Sequence, residues 1–569
     1  MTASNLPVVV IGAGPTGLMT ALCLAKSGIP VRILEKTHEF HRMSRGSGLH
    51  PRTLEYLHIL GLLEDFERLI VDMPPARAYK LPGGTEVARE WDILEKPTKT
   101  PDRPYGLAMI SQFQNEDILR EHLAALGIRP EMGCEPQSIE QNDTAVVVTV
   151  RKTNADGTAA GEEKIHAAYV VGADGAKGMS RKTIGATFEG KTVDEDGGVW
   201  FQADVEGDGL SSNYWHMWII PGKATVMLRP EGTNGGFLIG VVGKNFDPAE
   251  ELMDYDAAIA FFRENTGRTD LVFRNMHSLF HWKPKMLMVN KYSEGRVFIA
   301  GDAAHIHSPT GGQGLNTCVA DGINLAWKIA LAHKGLATAD LLTSYHTERH
   351  PIAAEVIRIS SSLYVQTVAT SAEDINVPVT AEESKKGGLI RWRVAGLSQL
   401  EINYRWSPVV YDARGPAGLS EAEMRAYAYT GYGPGAEVRA GDRAPEAPGL
   451  VDAAGKATSL FAIFKPDAHT VLVSCADTGD ATIVDVVDAV KALPAGLAVR
   501  VVAIGSSVVP NVEREVEGVY HDGAGWFGRA YGLMGGAPPV VVVRPDGYIG
   551  AFANDAAGLR EYFSKIVVM

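Results

Sequence analysis

Residues 8–35 read VVVIGAGPTGLMTALCLAKSGIPVRILE. The apolar run Val8–Ile11 predicts a buried strand, and Gly12-Ala13-Gly14-Pro15-Thr16-Gly17 stops it. A helix-period stretch follows over 18–26, then a second β-rich run, Val31–Leu34, closed by Glu35. Strand, glycine turn, helix, strand and acid at this spacing form a dinucleotide-binding fingerprint. Gly12 permits the tight turn, Gly14 lets the backbone approach a pyrophosphate, and Gly17 lets the helix lie close on the sheet. Pro15 and Thr16 open the helix, whose free N–H groups and partial positive charge suit phosphates. Glu35 is expected to accept from ribose hydroxyls, with Lys36 beside it. An ordinary tight turn does not explain three glycines and an acid falling in register.

The chain has 569 residues, too many for one core, so two or three domains are expected. A formal net charge of −14 argues against a nucleic-acid partner. Cys23, Cys134, Cys318 and Cys475 lie far apart, with neither CxxC nor zinc spacing, which predicts no metal and suits a reducing compartment. The chain enters its first strand without a signal-peptide pattern, and no apolar stretch reaches the ~20 residues that span a bilayer. The expectation is a cytoplasmic protein without a membrane partner.

Further along, helices are predicted over 51–63, 112–126 and 314–333, and a strand over 145–150 pairing with one over 165–171. Residues 73–110 are rich in Pro and Gly and read as an excursion. Short aromatic strands alternate from about residue 190 to 285, a pattern of a separate antiparallel sheet. A strand–helix–strand pattern restarts near 440. This predicts an α/β protein with a discontinuous nucleotide-binding domain (1–75, 111–190, 286–372). The substrate-binding insertion is 76–110 and 191–285, the connector 373–436, and the third domain 437–569.

Two more motifs narrow the class. Tyr169-Val170-Val171-Gly172-Ala173-Asp174-Gly175 ends an apolar strand in an acid and a glycine, and Arg181 follows. Downstream, Gly301-Asp302 ends another apolar strand, and Pro309, Gly311, Gly312, Gln313, Gly314, Leu315 and Asn316 open a long helix. Asp302 is placed to accept from ribityl hydroxyls. The N–H groups near Gly312 to Leu315 are placed against an electron-rich heterocycle.

With these residues the chain resembles the FAD-dependent aromatic hydroxylases, single-component flavoprotein monooxygenases, and among them the phenol 2-monooxygenase-like branch. GAGPTG with Glu35 matches the first fingerprint. Arg45-Gly46-Ser47-Gly48-Leu49-His50-Pro51-Arg52-Thr53-Leu54-Glu55 matches the loop and helix whose first arginine contacts the flavin. Gln112 with Glu116 matches a Gln-x-x-x-Glu pattern in which the glutamine reaches the ribityl chain. Asp174-Gly175 and Gly301-Asp302 match the family's two later motifs, the first shared between FAD and NADPH. The chain departs from the usual pattern in having Gly178 for a serine and Ser180 for a valine. His521-Asp522, Tyr531-Gly532 and the run from Val543 to Gly550 resemble the family's thioredoxin-like appended domain.

The resemblance implies a Rossmann-like FAD-binding domain, FAD as cofactor, NADPH or NADH as transient reductant and O2 as co-substrate. It implies hydroxylation of a phenol through a flavin C4a-hydroperoxide, mobile glycine loops at 46–48 and 311–314, and a homodimer. For the pocket, alternation in Tyr214-Trp215-His216-Met217-Trp218 puts Tyr214, His216 and Trp218 on one face. His216 and Tyr214 are candidates for the phenol's partner, and Arg229 for a group that holds an acidic or phenolate oxygen. Two rival readings are a flavin-dependent halogenase, whose WxWxIP mark has a near match in the run from His216 to Pro221, and a non-catalytic FAD- and ligand-binding sensor.

Overall fold

The structure, a computed structural model, describes residues 5–42, 46–93, 98–193, 196–220, 222–231, 236–244, 247–369, 397–415, 418–431, 436–475, 480–505, 516–533 and 539–569. The strand Val8–Ile11 lies between Val31–Leu34 and Tyr169–Gly172, parallel to both. Val297–Ile299 continues the sheet in parallel and Ser293–Glu294 closes it as an antiparallel edge. Every side chain of Val8–Ile11 is buried, as a parallel strand covered on both faces requires. The helix Pro15–Lys26 packs beside the helix Gln313–His333. Their contact is close because Gly322 has no side chain: a Cβ there would meet Thr20 Oγ1 at 2.4 Å.

Two expected elements are divided. The stretch 165–171 is not one strand. Ala159–Ala167 pairs antiparallel with Val146–Thr153, and after Ala168 the chain turns into Tyr169–Gly172 of the parallel sheet. The predicted helix 51–63 ends at Ile59, because Gly61 takes a left-handed φ of 71°, and Leu63–Glu67 restarts it.

The second sheet has seven strands in the order Val272–Trp282, Asp196–Glu206, Gly236–Lys244, Ala224–Pro230, Trp215–Ile220, Ala76–Tyr79 and Val87–Trp91. The stretch 73–110 is therefore more than an excursion: two of its segments are strands of this sheet. One face carries Val199, Phe201, Trp218, Leu228 and Ile239 and is covered by the helix Tyr255–Thr266, whose Phe262 ring meets Trp218 at 5.2 Å. The opposite face carries Trp200, Trp215, Met217 and Met227. It is turned toward the helix Ala339–Ala369, where Trp282 meets Tyr364 at 6.2 Å between ring centres.

The C-terminal sheet has a parallel set, His469–Ser474, Val499–Gly505 and Gly518–His521, continued by the antiparallel pair Val540–Val543 and Ile549–Ala553. The turn from Arg544 to Tyr548 plugs into the first domain. Arg544 donates to both oxygens of Glu348 at 2.8 and 2.9 Å, Lys328 donates to Glu348 at 2.8 Å, and Asn324 donates to Asp546 at 3.0 Å. Arg52 donates to the Asp546 and Gly547 carbonyls. All of these side chains are buried. Burial pushes the Lys328 ammonium down to about 8, against the pull of Glu348. Among the described residues no helix is long and apolar enough to cross a membrane.

Candidate functional site

The site forms where the two close-packed helices begin. Gly14 caps Pro15–Lys26 and Gly312, at φ 65°, caps Gln313–His333; neither end has a side-chain cap. The first-turn N–H groups of both helices are thus left for another acceptor. Gly12, at φ 103°, lies against the strand end at Asp174: a Cβ on it would sit 2.4 Å from the Ala173 carbonyl oxygen. A Cβ on Gly14, in contrast, would meet nothing within 4 Å. The first two glycines of the fingerprint therefore differ in kind, one fitting backbone to backbone and the other leaving room.

Glu35 ends its strand with the carboxylate held in place. Oε2 accepts from Ala13 N at 2.9 Å, and Oε1 accepts from the Thr37 N–H and hydroxyl at 3.0 Å. Beyond it opens a groove of about 580 Å³ lined by Thr37, His38, Phe40, His41 and Arg42. Lys36 is exposed. Arg45 lies outside the described residues, as does Pro221 of the halogenase-like run. Gln112 opens the helix Gln112–Ala125, and its amide donates to Glu116 at 2.8 Å.

The Gly301-Asp302 turn meets the first fingerprint directly. A Cβ on Gly301 would lie 2.5 Å from Thr16 Oγ1. Asp302 is exposed, and Cys318 Sγ lies 3.5 Å from its Oδ1. The turn is fixed from behind by Asp321, whose Oδ2 accepts from Gly301 N at 3.1 Å and bonds His305 Nε2 at 2.7 Å, while Arg349 donates to Oδ1 at 2.7 Å. Burial raises the Asp321 carboxyl, but Arg349 and His305 outweigh it and hold it below the usual carboxylate range. Sequence reasoning missed Asp321. Its signal was an acid inside an otherwise apolar helix, where a charge must be paired.

Pro309 is exposed and Leu315 half-buried, with Leu315 Cβ 3.3 Å from where a Cβ on Gly46 would lie. A Cβ on Gly314 would be 3.6 Å from the His307 ring. Asn316 differs from expectation. Its side chain is fully engaged in clamping the loop after Gly46 to this turn: Oδ1 accepts from His50 N and Thr53 Oγ1, and Nδ2 donates to the Gly48 and Gly312 carbonyls.

The junction suits a polar, hydroxyl-rich ligand. Buried polar atoms without a partner among the described residues gather here: Ser47 Oγ, His50 Nδ1, Asp174 Oδ1 and His307 Nε2. Burial pushes the imidazoles of His50 and His307 down to about 4, so both are neutral near pH 7. Uncapped helix ends, open space at Gly14 and stranded acceptors fit the pyrophosphate, ribityl and ring portions of FAD.

The pocket candidates are separated by the sheet. His216 lies on the helix-covered face with no exposed surface. Its Nδ1 bonds Tyr79 OH at 2.6 Å, its Nε2 bonds the Ser211 carbonyl at 2.8 Å, and it stacks on Tyr79. Both ring nitrogens of His216 are thus engaged within the protein, which argues against its expected part as the phenol's partner. Alternation gave the shared face of Tyr214, His216 and Trp218, but not that a helix covers that face. Tyr214 lies at its margin, under the Arg77 guanidinium. Arg229 is on the opposite face, over the Trp215 ring at 5.5 Å, and donates to Glu231 at 3.4 Å; Gln202 also bonds Glu231. Arg229 Nε and Gln202 Oε1 have no partner among the described residues. We expect His216→Phe to cost about 1–3 kcal/mol of stability, since Tyr79 OH loses its buried partner. Turnover should stay within about twofold of wild type. Thermal unfolding beside steady-state kinetics checks this; a large loss of turnover at unchanged stability contradicts the placement.

Comparison with known proteins agrees with the site. A family model described as an FAD binding domain matches residues 5–360. A flavin-dependent monooxygenase of Mycobacteroides abscessus is 30% identical over 567 residues, covering 99% of this chain and 100% of that protein. The 6-methylpretetramide 4-monooxygenase of Streptomyces rimosus is 30% identical over 74% of both chains. In fold, the chain is similar to the flavin-dependent monooxygenase PieE, solved with FAD and substrate (TM-score 0.76, 23% identity, 98% of each chain covered). It is also similar to aklavinone-11 hydroxylase, solved with FAD and aklavinone (TM-score 0.73, 24% identity, 99% of each covered). Fingerprint, paired helix entrances and these likenesses together place the chain in the FAD-binding-domain family, as an FAD-dependent aromatic monooxygenase.

Proposed function

We propose that this enzyme uses NADPH or NADH and O2 to hydroxylate a small phenolic ring held against the face of the seven-stranded sheet opposite the helix Tyr255–Thr266. The observation that carries the reading is the make-up of the face opposite that helix: Trp200, Trp215, Met217 and Met227, with Arg229 and Gln202 among them each keeping one polar atom without a partner among the described residues. FAD, once reduced, supplies the activation of O2. The chain's part is to bind, orient and exclude water. The aromatic and methionine side chains make a dry wall for a flat ring. The Arg229 guanidinium is a fixed donor for a phenolic oxygen, and favours the more nucleophilic phenolate.

Around the cofactor, Gly12, Gly14, Pro15, Thr16 and Gly17 with Glu35 hold its adenosine and pyrophosphate. Asp302 takes ribityl hydroxyls, and the N–H groups from Gly312 to Leu315 meet the ring system. The C-terminal unit we read as thioredoxin-like, from its parallel strands extended by an antiparallel pair. Its single Cys475 gives it no dithiol, which leaves a structural or dimerising role. Sedimentation of the purified protein tests the homodimer.

The function is tested by screening phenols for stimulated NAD(P)H oxidation with product mass raised by one oxygen. Asp302→Ala, losing a charged acceptor, should retain FAD about tenfold less tightly. NAD(P)H oxidation that stays flat across phenols favours the sensor reading, and chloride-dependent products the halogenase.

A further inference from the structure

Gln313, the first residue of the long helix, is buried with its side-chain amide fully engaged. Nε2 donates to the Gly311 carbonyl at 3.1 Å and the Leu397 carbonyl at 2.9 Å. Oε1 accepts from Gln399 Nε2 at 2.7 Å and from the Tyr429 hydroxyl. Two carbonyls at one end and two donors at the other match an amide's two hydrogens and two lone pairs, and fix which way it faces. Leu397, Gln399 and Tyr429 all belong to the connector, beyond residue 360 where the FAD-binding-domain match ends. Gln399 takes a left-handed φ of 62°, a region that residues with side chains rarely occupy. Such a conformation persists only where its surroundings hold it, and here they are the helix entrance. The Gln399 amide also donates to Thr317 Oγ1 at 3.1 Å, one turn along the same helix.

The turn held in this way is the one read above as facing the ring system. Gly311 and Gly312 are both left-handed, at φ 88° and 65°. The Gly311 carbonyl is held by Gln313 Nε2, and the Gly312 carbonyl by Asn316 Nδ2 at 2.9 Å and His50 Nε2 at 3.1 Å. A peptide group is planar and trans, so its N–H points opposite to its carbonyl. Drawing the Gly312 carbonyl toward His50 and Asn316 therefore aims the Gln313 N–H the other way. The connector reaches the second turn as well: Arg349, which holds Asp321 behind Gly301, also donates to the Tyr404 hydroxyl at 2.8 Å.

We propose that the connector is part of the cofactor site, with Gln399 and Tyr429 as positioning residues that set the 311–313 turn through the Gln313 amide. Neither has to touch FAD to do so. This rests on the reading of the Gly312 to Leu315 N–H groups given above.

The test uses the full-length holoenzyme and the variants Gln399→Gly, Tyr429→Phe, Gln313→Ala and Gln313→Ala/Tyr429→Phe. FAD retention is read by flavin fluorescence on dilution, the ring's surroundings by visible circular dichroism of the bound flavin, and folding by thermal unfolding. Glycine suits a φ of 62°, so in Gln399→Gly relief of the backbone offsets the lost bonds in stability, but nothing restores a fixed Gln313. That variant should melt as the wild type does, release FAD about threefold to tenfold more readily and change the visible dichroism. Tyr429→Phe should release FAD about threefold more readily and Gln313→Ala about tenfold. Adding Tyr429→Phe to Gln313→Ala should change release by less than about twofold, because Tyr429 acts through that amide. Altered dichroism in Gln399→Gly at unchanged melting, with no further loss in the double variant, supports the proposal. Wild-type dichroism and FAD retention in Gln399→Gly overturn it, as do single effects that multiply in the double variant. A wild type whose bound FAD shows the dichroism of free FAD takes the ring away from this turn and overturns the underlying reading, before any variant is compared.

Discussion

Glu348→Ala is expected to cost about 3–5 kcal/mol and to loosen the C-terminal unit from the first domain. Glu348 has no exposed surface and accepts from Arg544, Lys328, Asn324 and Ser407. Removing it leaves a guanidinium and an ammonium buried with Asp546 as their remaining carboxylate neighbour, and it is the unpaired charge, more than the lost bonds, that sets the size of the effect. Burial alone would raise the Glu348 carboxyl, but Arg544 and Lys328 outweigh it and hold it well below the usual range. A carboxyl depressed in the folded state contributes stability that is present above its unfolded value, about 4.3, and is lost as pH falls below that. The wild type should therefore loosen at this interface on acidification, and the variant should be loose already and less sensitive to acid. Hydrogen exchange over 540–549 at pH 7 and near pH 3, well below the unfolded value, measures both effects. Unchanged protection in the variant contradicts the account of the plug.

Gly17→Ala is the second large effect, and its sign separates propensity from packing. In a helix interior alanine is favoured over glycine by about 1 kcal/mol. Here, however, the new Cβ would stand 2.0 Å from the Gly12 carbonyl oxygen and 3.3 Å from a Val10 methyl. Backbone cannot yield as a side chain can, so the helix must lift from the sheet, at about 1–3 kcal/mol or more. The lift also moves the helix entrance, so FAD retention should fall at least about tenfold. Gly14→Ala is the contrasting variant. Nothing protein-borne lies where its Cβ would go, so it should leave thermal stability unchanged while weakening FAD. If both variants lose stability equally, the distinction between the two glycines fails.

The turns and helix entrances of the candidate cofactor site were legible because they are local: each motif is a short stretch whose spacing fixes its turn. The pocket was not legible, because it depends on which face of a sheet a distant helix covers. His216 and Arg229 occupy adjacent strands, and only the helix Tyr255–Thr266, folded back over one side, tells them apart. The plug from Arg544 to Tyr548 and the Asp321–Arg349 pair escaped for the same reason, being contacts between segments far apart in sequence. The strand 165–171 was misread because an alternating run and a continuously buried run lie end to end, separated only by Ala168.

Absorbance of the freshly purified protein, with the chromophore identified after heat release, tests the central claim most directly. The account predicts a flavin spectrum and FAD in amounts equimolar with the chain, retained through gel filtration. A colourless protein that takes up no FAD on reconstitution contradicts it.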